Sequence, residues 1–261
     1  MSAFSPSAFV RVRGRSLEYR RIAAAAAGPT LVFLHEGLGS ISQWRDFPGR
    51  IVAATGLPAL VYARHGHGQS EVLQQAHDVD FMHREALEVL PELLRELGVE
   101  RPILIGHSDG ASIALIHVGS GHPSRGLVAM APHVFVEDIS IRGITAAKQA
   151  FESTDLEQRL ARHHRDPGRT FYGWNDIWLA PAFRSWNIER FLPAIRCPLL
   201  AIQGQEDEYG SMAQVDAIAR QAGGTVEVLK LAHCGHSPQR DQPDKVAAAI
   251  AEFVDEFCKP A

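Results

Sequence analysis

The stretch Pro102-Ile103-Leu104-Ile105-Gly106-His107-Ser108-Asp109-Gly110 decides the reading of this chain. Its first four residues form an apolar run of strand type, which halts at Gly106. From Asp109 to Gly119 the chain is small and apolar in a helical pattern. A buried strand that passes at once into a helix leaves Ser108 in a tight turn. The small residues flanking it in G-x-S-x-G keep that turn free of clashes. A helix beginning at Asp109 also directs free backbone N–H groups and a partial positive charge at any negative charge that develops beside the serine. Ser108 is therefore the candidate nucleophile.

Similar apolar runs recur on both sides, at residues 30–34, 59–63, 126–130, 198–202 and 225–229. Runs this continuous suit strands covered on both faces. Helical spacing lies between them. It is seen at Phe81–Leu97, where Leu87, Leu90, Leu94 and Leu97 fall three or four residues apart, at Met212–Gln221 and at Asp244–Phe257. The alternation predicts an α/β fold with a doubly wound, mostly parallel central sheet. Ligands of such sheets bind beyond the carboxyl ends of the strands, so the residues just after each strand carry the information. The pattern breaks from about His133 to Ile195, which is rich in charge and aromatics and predicts short helices inserted between two core strands. The alanine run Ala23–Ala27 reads as a loop or strand edge.

A serine hydroxyl needs a base. Among the 13 histidines, His236 stands out, because it follows the last strand run and precedes the final helix. His233 is a less favourable choice nearer the strand end. The order Ser, acid, His along the chain places the acid between them. Asp207 is the choice in Gly204-Gln205-Glu206-Asp207-Glu208, with Glu206 and Glu208 as rivals in sequence. Its role would be to hold the imidazole tautomer and stabilise the imidazolium. The loop His35-Glu36-Gly37-Leu38-Gly39 after the first apolar run is where a second oxyanion donor must lie. The expected pair is the backbone N–H of Gly37 and of Asp109, with Glu36 as the alternative. His35 reads as structural, hydrogen-bonded under this loop.

Taken together, these elements resemble the α/β-hydrolase superfamily over nearly the whole chain. Gly106 to Gly110 is similar to its nucleophile elbow, and His35 to Gly39 to its H-G-x-x-G. Tyr62 to Ser70 resembles D-x-R-G-x-G-x-S, Gly204 to Asp207 resembles G-x-x-D, and Gly235-His236 resembles the terminal G-H. The resemblance implies an α/β-hydrolase core over 1–133 and 196–261. It implies a small, aromatic-lined helical cap over 134–195. Trp174 and Trp178 of the insertion, and Trp44 after the oxyanion loop, are the candidate pocket aromatics. Two departures stand out: glycine is usual where Glu36 stands, and Asp109 places a second carboxylate beside the elbow. Both carboxylates are expected to disfavour anionic substrates near the acyl group or to raise the pKa of His236. The reaction implied is hydrolysis of a small or medium carboxylic ester, lactone or related acyl compound. Carbon–carbon hydrolysis or perhydrolysis uses the same three residues, and a small-molecule receptor on the same fold would also retain them.

Other constellations are weak. His65-Gly66-His67 and His163-His164 lack the spacing of metal sites, Cys234 has no elbow, and no G-x-G-x-x-G follows a strand. No metal or cofactor is therefore expected. The 261 residues are 46% hydrophobic and 21% charged, with net charge -4, which does not favour nucleic acid or an anionic membrane surface. No stretch approaches the ~20 apolar residues of a membrane span, and Met1 to Arg15 lacks the apolar block of a signal peptide. The three cysteines are odd in number and far apart, which fits a reducing cytoplasm. The oligomeric state is left open by the sequence.

Overall fold

The computed structural model describes residues 4–24 and 28–258. In chain order the strands are β1 (Ala8–Val12), β2 (Arg15–Ile22), β3 (Leu31–Leu34), β4 (Ala59–Tyr62), β5 (Ile103–His107), β6 (Gly126–Met130), β7 (Leu199–Gly204) and β8 (Val226–Leu231). They form one eight-stranded sheet in the order β1-β2-β4-β3-β5-β6-β7-β8. From β4 to β8 all neighbours are parallel, while β1 and β2 join antiparallel at one edge. The predicted doubly wound sheet is thus present.

The helices are α1 (Phe47–Thr55), α2 (Phe81–Arg84), α3 (Leu90–Glu96), α4 (Asp109–Gly119), α5 (Asp138–Ser153), α6 (Leu156–Ala161), α7 (Pro167–Leu179), α8 (Ala213–Gln221), α9 (Pro238–Asp241) and α10 (Pro243–Phe253). Strand residues alternate between two cores. Val32, Leu34, Leu60 and Leu104 pack with α3, α4 and α8 on one face. Leu31, Phe33, Val61, Ile103 and Ile105 pack with α1 and α10 on the other. This period of two on a sheet buried on both sides is why the central strands read as unbroken apolar runs.

The structure departs from the sequence reading in several places. β1 and β2 were not expected, because their arginines interrupt the apolar pattern and they lie at a sheet edge. Arg13 and Gly14, both with positive φ (51° and 76°), make their tight turn. The helix expected over 81–97 contains a π turn at Glu85–Val89 between α2 and α3. The final helix likewise ends in a π turn at Val254–Cys258. In the alanine run, Ala23 and Ala24 are loop, and residues 25–27 lie outside the described residues.

Between β6 and β7 the chain forms α5, α6, α7 and two 3-10 turns, Pro181–Ser185 and Glu189–Ala194. Phe151 of α5 stacks on Phe171 of α7 at 3.9 Å between centroids. The buried Asn175 amide donates to the Ile144 carbonyl at 3.0 Å. The aromatics of this segment therefore hold its own helices together, and only some remain for the cavity below it.

The β5–α4 turn sets a stability test. A Cβ on Gly110 would strike the Leu34 carbonyl, whereas one on Gly168, in α7, would make only ordinary contacts. Gly110→Ala is expected to cost about 1–3 kcal/mol in urea unfolding. Gly168→Ala is expected to gain about 0.4–1 kcal/mol by restricting the unfolded chain.

Candidate active site

Three side chains from distant parts of the sequence meet beyond the carboxyl ends of the strands. Ser108 lies between β5 and α4 with φ 53° and ψ -120°, a left-handed backbone costly for a residue with a Cβ. Its Oγ lies 2.9 Å from His236 Nε2. His236, in the loop after β8, donates from Nδ1 to Asp207, at 2.9 Å from Oδ1 and 2.8 Å from Oδ2. Asp207 follows β7 and accepts further bonds from the N–H groups of Tyr209 (2.8 Å) and Gly210 (3.2 Å) and from the Gln203 amide (2.7 Å). Its rivals lie elsewhere: Glu206 faces the exposed His233 at 3.2 Å, and Glu208 borders the cavity without bonding His236.

Burial opposes charge on both partners of the His236–Asp207 pair, but each outweighs that for the other. Asp207 is held below the usual carboxylate range by His236 and by the Tyr209 N–H. Burial pulls His236 down, yet Asp207, assisted by Glu208 and Glu36, leaves it above the ordinary histidine value. Burial lowers the neighbouring His133 to about 4.

The loop after β3 is held from beneath. The His35 Nδ1–H donates to the Glu36 carbonyl at 2.7 Å, and its Nε2 accepts from the Arg64 N–H at 3.0 Å. The Arg64 guanidinium donates to the same Glu36 carbonyl at 2.8 Å. His67 lies 2.9 Å from the Gly37 carbonyl. His35 and His67 thus serve as loop supports. A Cβ on Gly37 would collide with the Trp174 indole, so glycine there permits the close approach of loop and α7.

Two carboxylates flank Ser108, as their sequence positions suggested. Burial opposes ionisation of Glu36, but His107 (3.5 Å) and Arg240 (3.5 Å) hold it well below the usual carboxylate range. Asp109 is different. It is buried, its Oδ1 has no hydrogen-bond partner, and the Arg64 guanidinium comes only to 4.0 Å. Burial therefore dominates and pushes it up to about 6, against the pull of Arg64.

A cavity of about 280 Å³ lies over Ser108. Glu36, Gln43 and Arg240 border it from the core, and Ile144, Leu160, Trp174 and Trp178 from the inserted segment. Gly37 and Asp109 line it as well. Trp44 does not. It packs edge-on to Phe33 at 5.4 Å and against Phe47 at 6.1 Å, inside the α1 core. The 3-10 turn at Ser42–Trp44 sends consecutive side chains in different directions, so Gln43 reaches the cavity instead.

Sequence reasoning overlooked His107, Arg64, His133 and Arg240. His107 is the clearest case: its Nε2–H donates to the His236 backbone carbonyl at 2.7 Å, and its ring lies 5.2 Å from the His236 ring. Its place inside G-x-S-x-G was the available signal.

Residues 31–249 match the model of the alpha/beta hydrolase family. The chain is similar to the 2-succinyl-6-hydroxy-2,4-cyclohexadiene-1-carboxylate synthase of Klebsiella pneumoniae, at 25% identity over 247 residues, covering 87% of this chain and 94% of that one. It is similar to the pimeloyl-[acyl-carrier protein] methyl ester esterase of Stenotrophomonas maltophilia, at 39% identity over 70 residues, covering 27% of each. In fold it is similar to the enol-lactonase of Burkholderia xenovorans, with a TM-score of 0.72 and 19% identity, over 95% of this chain and 100% of that one. Among the described residues no helix is long and apolar enough to cross a membrane. With the family model matched across the strand–turn–helix core, this chain belongs to the alpha/beta hydrolase family and is an enzyme of that family.

Proposed function

We propose that the protein is a serine hydrolase that cleaves a small or medium carboxylic ester, lactone or related acyl compound through an acyl-enzyme on Ser108. One observation carries the reading: the unbroken hydrogen-bonded line from Ser108 Oγ through His236 to Asp207. In the proposed reaction His236 Nε2 takes the hydroxyl proton as Ser108 Oγ bonds to the carbonyl carbon. Asp207 fixes the Nδ1–H tautomer and stabilises the imidazolium. The carbonyl oxygen becomes negative and is received by the backbone N–H groups of Gly37 and Asp109. Asp109 is the first residue of α4, where N–H groups have no intrahelical partner. The proton then passes from His236 to the leaving oxygen. The oxygen of a water then bonds to the acyl carbon as His236 takes its proton, and that proton passes to Ser108 Oγ as the acyl–Ser108 bond breaks. None of these steps uses a cofactor.

The cavity agrees with a substrate of two characters. The side formed by the inserted segment is apolar and suits an acyl chain. The core side, with Glu36, Gln43 and Arg240, is polar and suits the group that departs. We place the helical cap at residues 134–195, over a core of 1–133 and 196–261, on this division of the lining. A soluble, cytoplasmic enzyme agrees with the unpaired cysteines. Carbon–carbon cleavage would use the same three residues and is the second reading. A panel of esters, thioesters, lactones and carbon–carbon substrates separates the two.

With p-nitrophenyl acetate as substrate, Ser108→Ala is expected to lose roughly 10³-fold or more in kcat/KM and to lose labelling by a fluorophosphonate. Labelling that survives in this variant would place the nucleophile elsewhere. Asp207→Asn is expected to lose roughly 10³–10⁴-fold in kcat, by analogy with other triads. Glu206→Gln and Glu208→Gln should stay close to the parent, and an equal loss in either would reassign the acid.

The imidazole must be neutral to accept a proton, so a raised His236 moves the acid limb upward. The kcat/KM profile should fall with decreasing pH at a midpoint above the ordinary histidine value. Glu36→Gln should move that midpoint down, since Glu36 helps to raise it. A midpoint unchanged in Glu36→Gln would remove this electrostatic role.

A further inference from the structure

A second cavity, of about 370 Å³, opens between the β1–β2 turn, the loop around His77, and α2 with the π turn that follows it. It shares no lining residue with the cavity over Ser108.

Three arginines (Arg13, Arg15 and Arg84) and three carboxylates (Asp78, Glu85 and Glu88) line it, but they do not all pair. Arg13 pairs with Glu88 at 2.9 Å, and Arg84 with Asp78 at 2.8 Å. Arg15 has no carboxylate at ion-pair distance among the described residues, and its guanidinium donates to His65 Nδ1 at 3.0 Å. The Arg15 guanidinium is thus left at the rim without a carboxylate partner.

The floor holds an unmet polar group. Glu85 is 9% exposed, and its Oε2 is buried without a hydrogen-bond partner among the described residues. A buried carboxyl oxygen without a partner costs stability, so its retention calls for a reason. Burial raises Glu85 above the usual carboxylate range, against the pull of Arg64, Arg15 and Arg84. Glu85 also opens the π turn of residues 85–89, a helix irregularity that recurs at functional sites. Phe81 lies stacked with His77 at 4.6 Å and 25°, giving the cavity a flat wall.

These features define a ligand with three parts: one negative charge, a flat or compact body, and a neutral group that hydrogen-bonds to an acid. We propose that this cavity binds a small hydroxy-carboxylate, with its carboxylate on Arg15, its body against Phe81 and His77, and its hydroxyl on Glu85. A single unmatched guanidinium suits the one charge of a carboxylate better than the greater charge of a phosphate.

Isothermal titration of the full chain with 4-hydroxybenzoate tests this. Saturable binding is expected, weakened about tenfold or more for benzoate, which lacks the hydroxyl, and for 4-hydroxybenzamide, which lacks the charge. Arg15→Gln should weaken 4-hydroxybenzoate by a similar factor. Arg240→Gln, which alters only the serine cavity, should not. Glu85→Leu should abolish the preference for 4-hydroxybenzoate over benzoate and, because it removes an orphan carboxyl, raise Tm. A residue with a merely structural role would not couple a gain in Tm to a loss of ligand discrimination. The proposal fails if the parent protein shows no saturable binding. It also fails if binding depends on Arg240 and not on Arg15, or if Glu85→Leu keeps the preference and lowers Tm.

Discussion

The left-handed backbone at Ser108 is the constraint on which the rest of the site depends. A residue with a Cβ resists φ near +50°, at a cost of ~1–3 kcal/mol, so the surroundings must over-determine it. They do so from three sides. The Ser108 N–H donates to the Met130 carbonyl of β6 at 2.9 Å, and the Ser108 carbonyl accepts from the Ala111 and Ser112 N–H groups of α4 at 2.9 and 3.0 Å. Gly106 and Gly110 let α4 press against β5 and against the carbonyls of Leu34 and His35 at the end of β3. The same contacts that hold the serine thus fix its distance from the loop after β3, where the second oxyanion donor is proposed. The candidate nucleophile and the proposed oxyanion loop are two faces of one packing solution.

The electrostatics around that solution are asymmetric. Glu36 and Asp109 both stand beside Ser108, but their surroundings drive them apart. Glu36 has His107 and Arg240 within 3.5 Å and keeps its charge. Asp109 has only Arg64 at 4.0 Å, and burial prevails. In the proposed reaction two ionised carboxylates beside the developing oxyanion would oppose it strongly, and the burial that disfavours charge on Asp109 works against that repulsion. Glu36 is connected to the base by structure as well as by field: it contacts His107, and His107 holds the His236 carbonyl at 2.7 Å.

Much of this was legible in the sequence, for a physical reason. Central strands buried on both faces have to be apolar throughout, so residues 103–107, 126–130 and 199–204 could be recognised without knowledge of their neighbours. The meeting of Ser108, Asp207 and His236 followed, because a parallel sheet brings the ends of successive strands to one edge. What escaped was set by tertiary context. β1 is the edge strand with β2 beside it, and the arginines of both disguise the alternation. The π turn at 85–89 has no local signal separating it from an ordinary helix turn. Trp44 and Gln43 are adjacent, and a turn of irregular geometry decided which of them faced the cavity. The place of His107 inside G-x-S-x-G marks it as near the site, but its bond to a carbonyl 129 residues away is made by the fold alone.

The contact between Gly37 and Trp174 joins the two halves of the cavity and limits how they can vary. The core half is fixed by the geometry of Ser108 and its partners, while the inserted half is free to take whatever apolar shape its helices allow. Yet the Trp174 indole occupies the space that any side chain at position 37 would need. A change of α7 that withdrew Trp174 would leave the loop after β3 without its cover. A Cβ at position 37 would push α7 outward. In the proposed reaction, the wall that shapes the acyl pocket is therefore also the lid on an oxyanion donor. A substrate that displaces Trp174 would disturb the group that must receive its carbonyl oxygen. Selectivity and rate are bound together at that contact, and this favours acyl groups that fit beneath Trp174 without moving it.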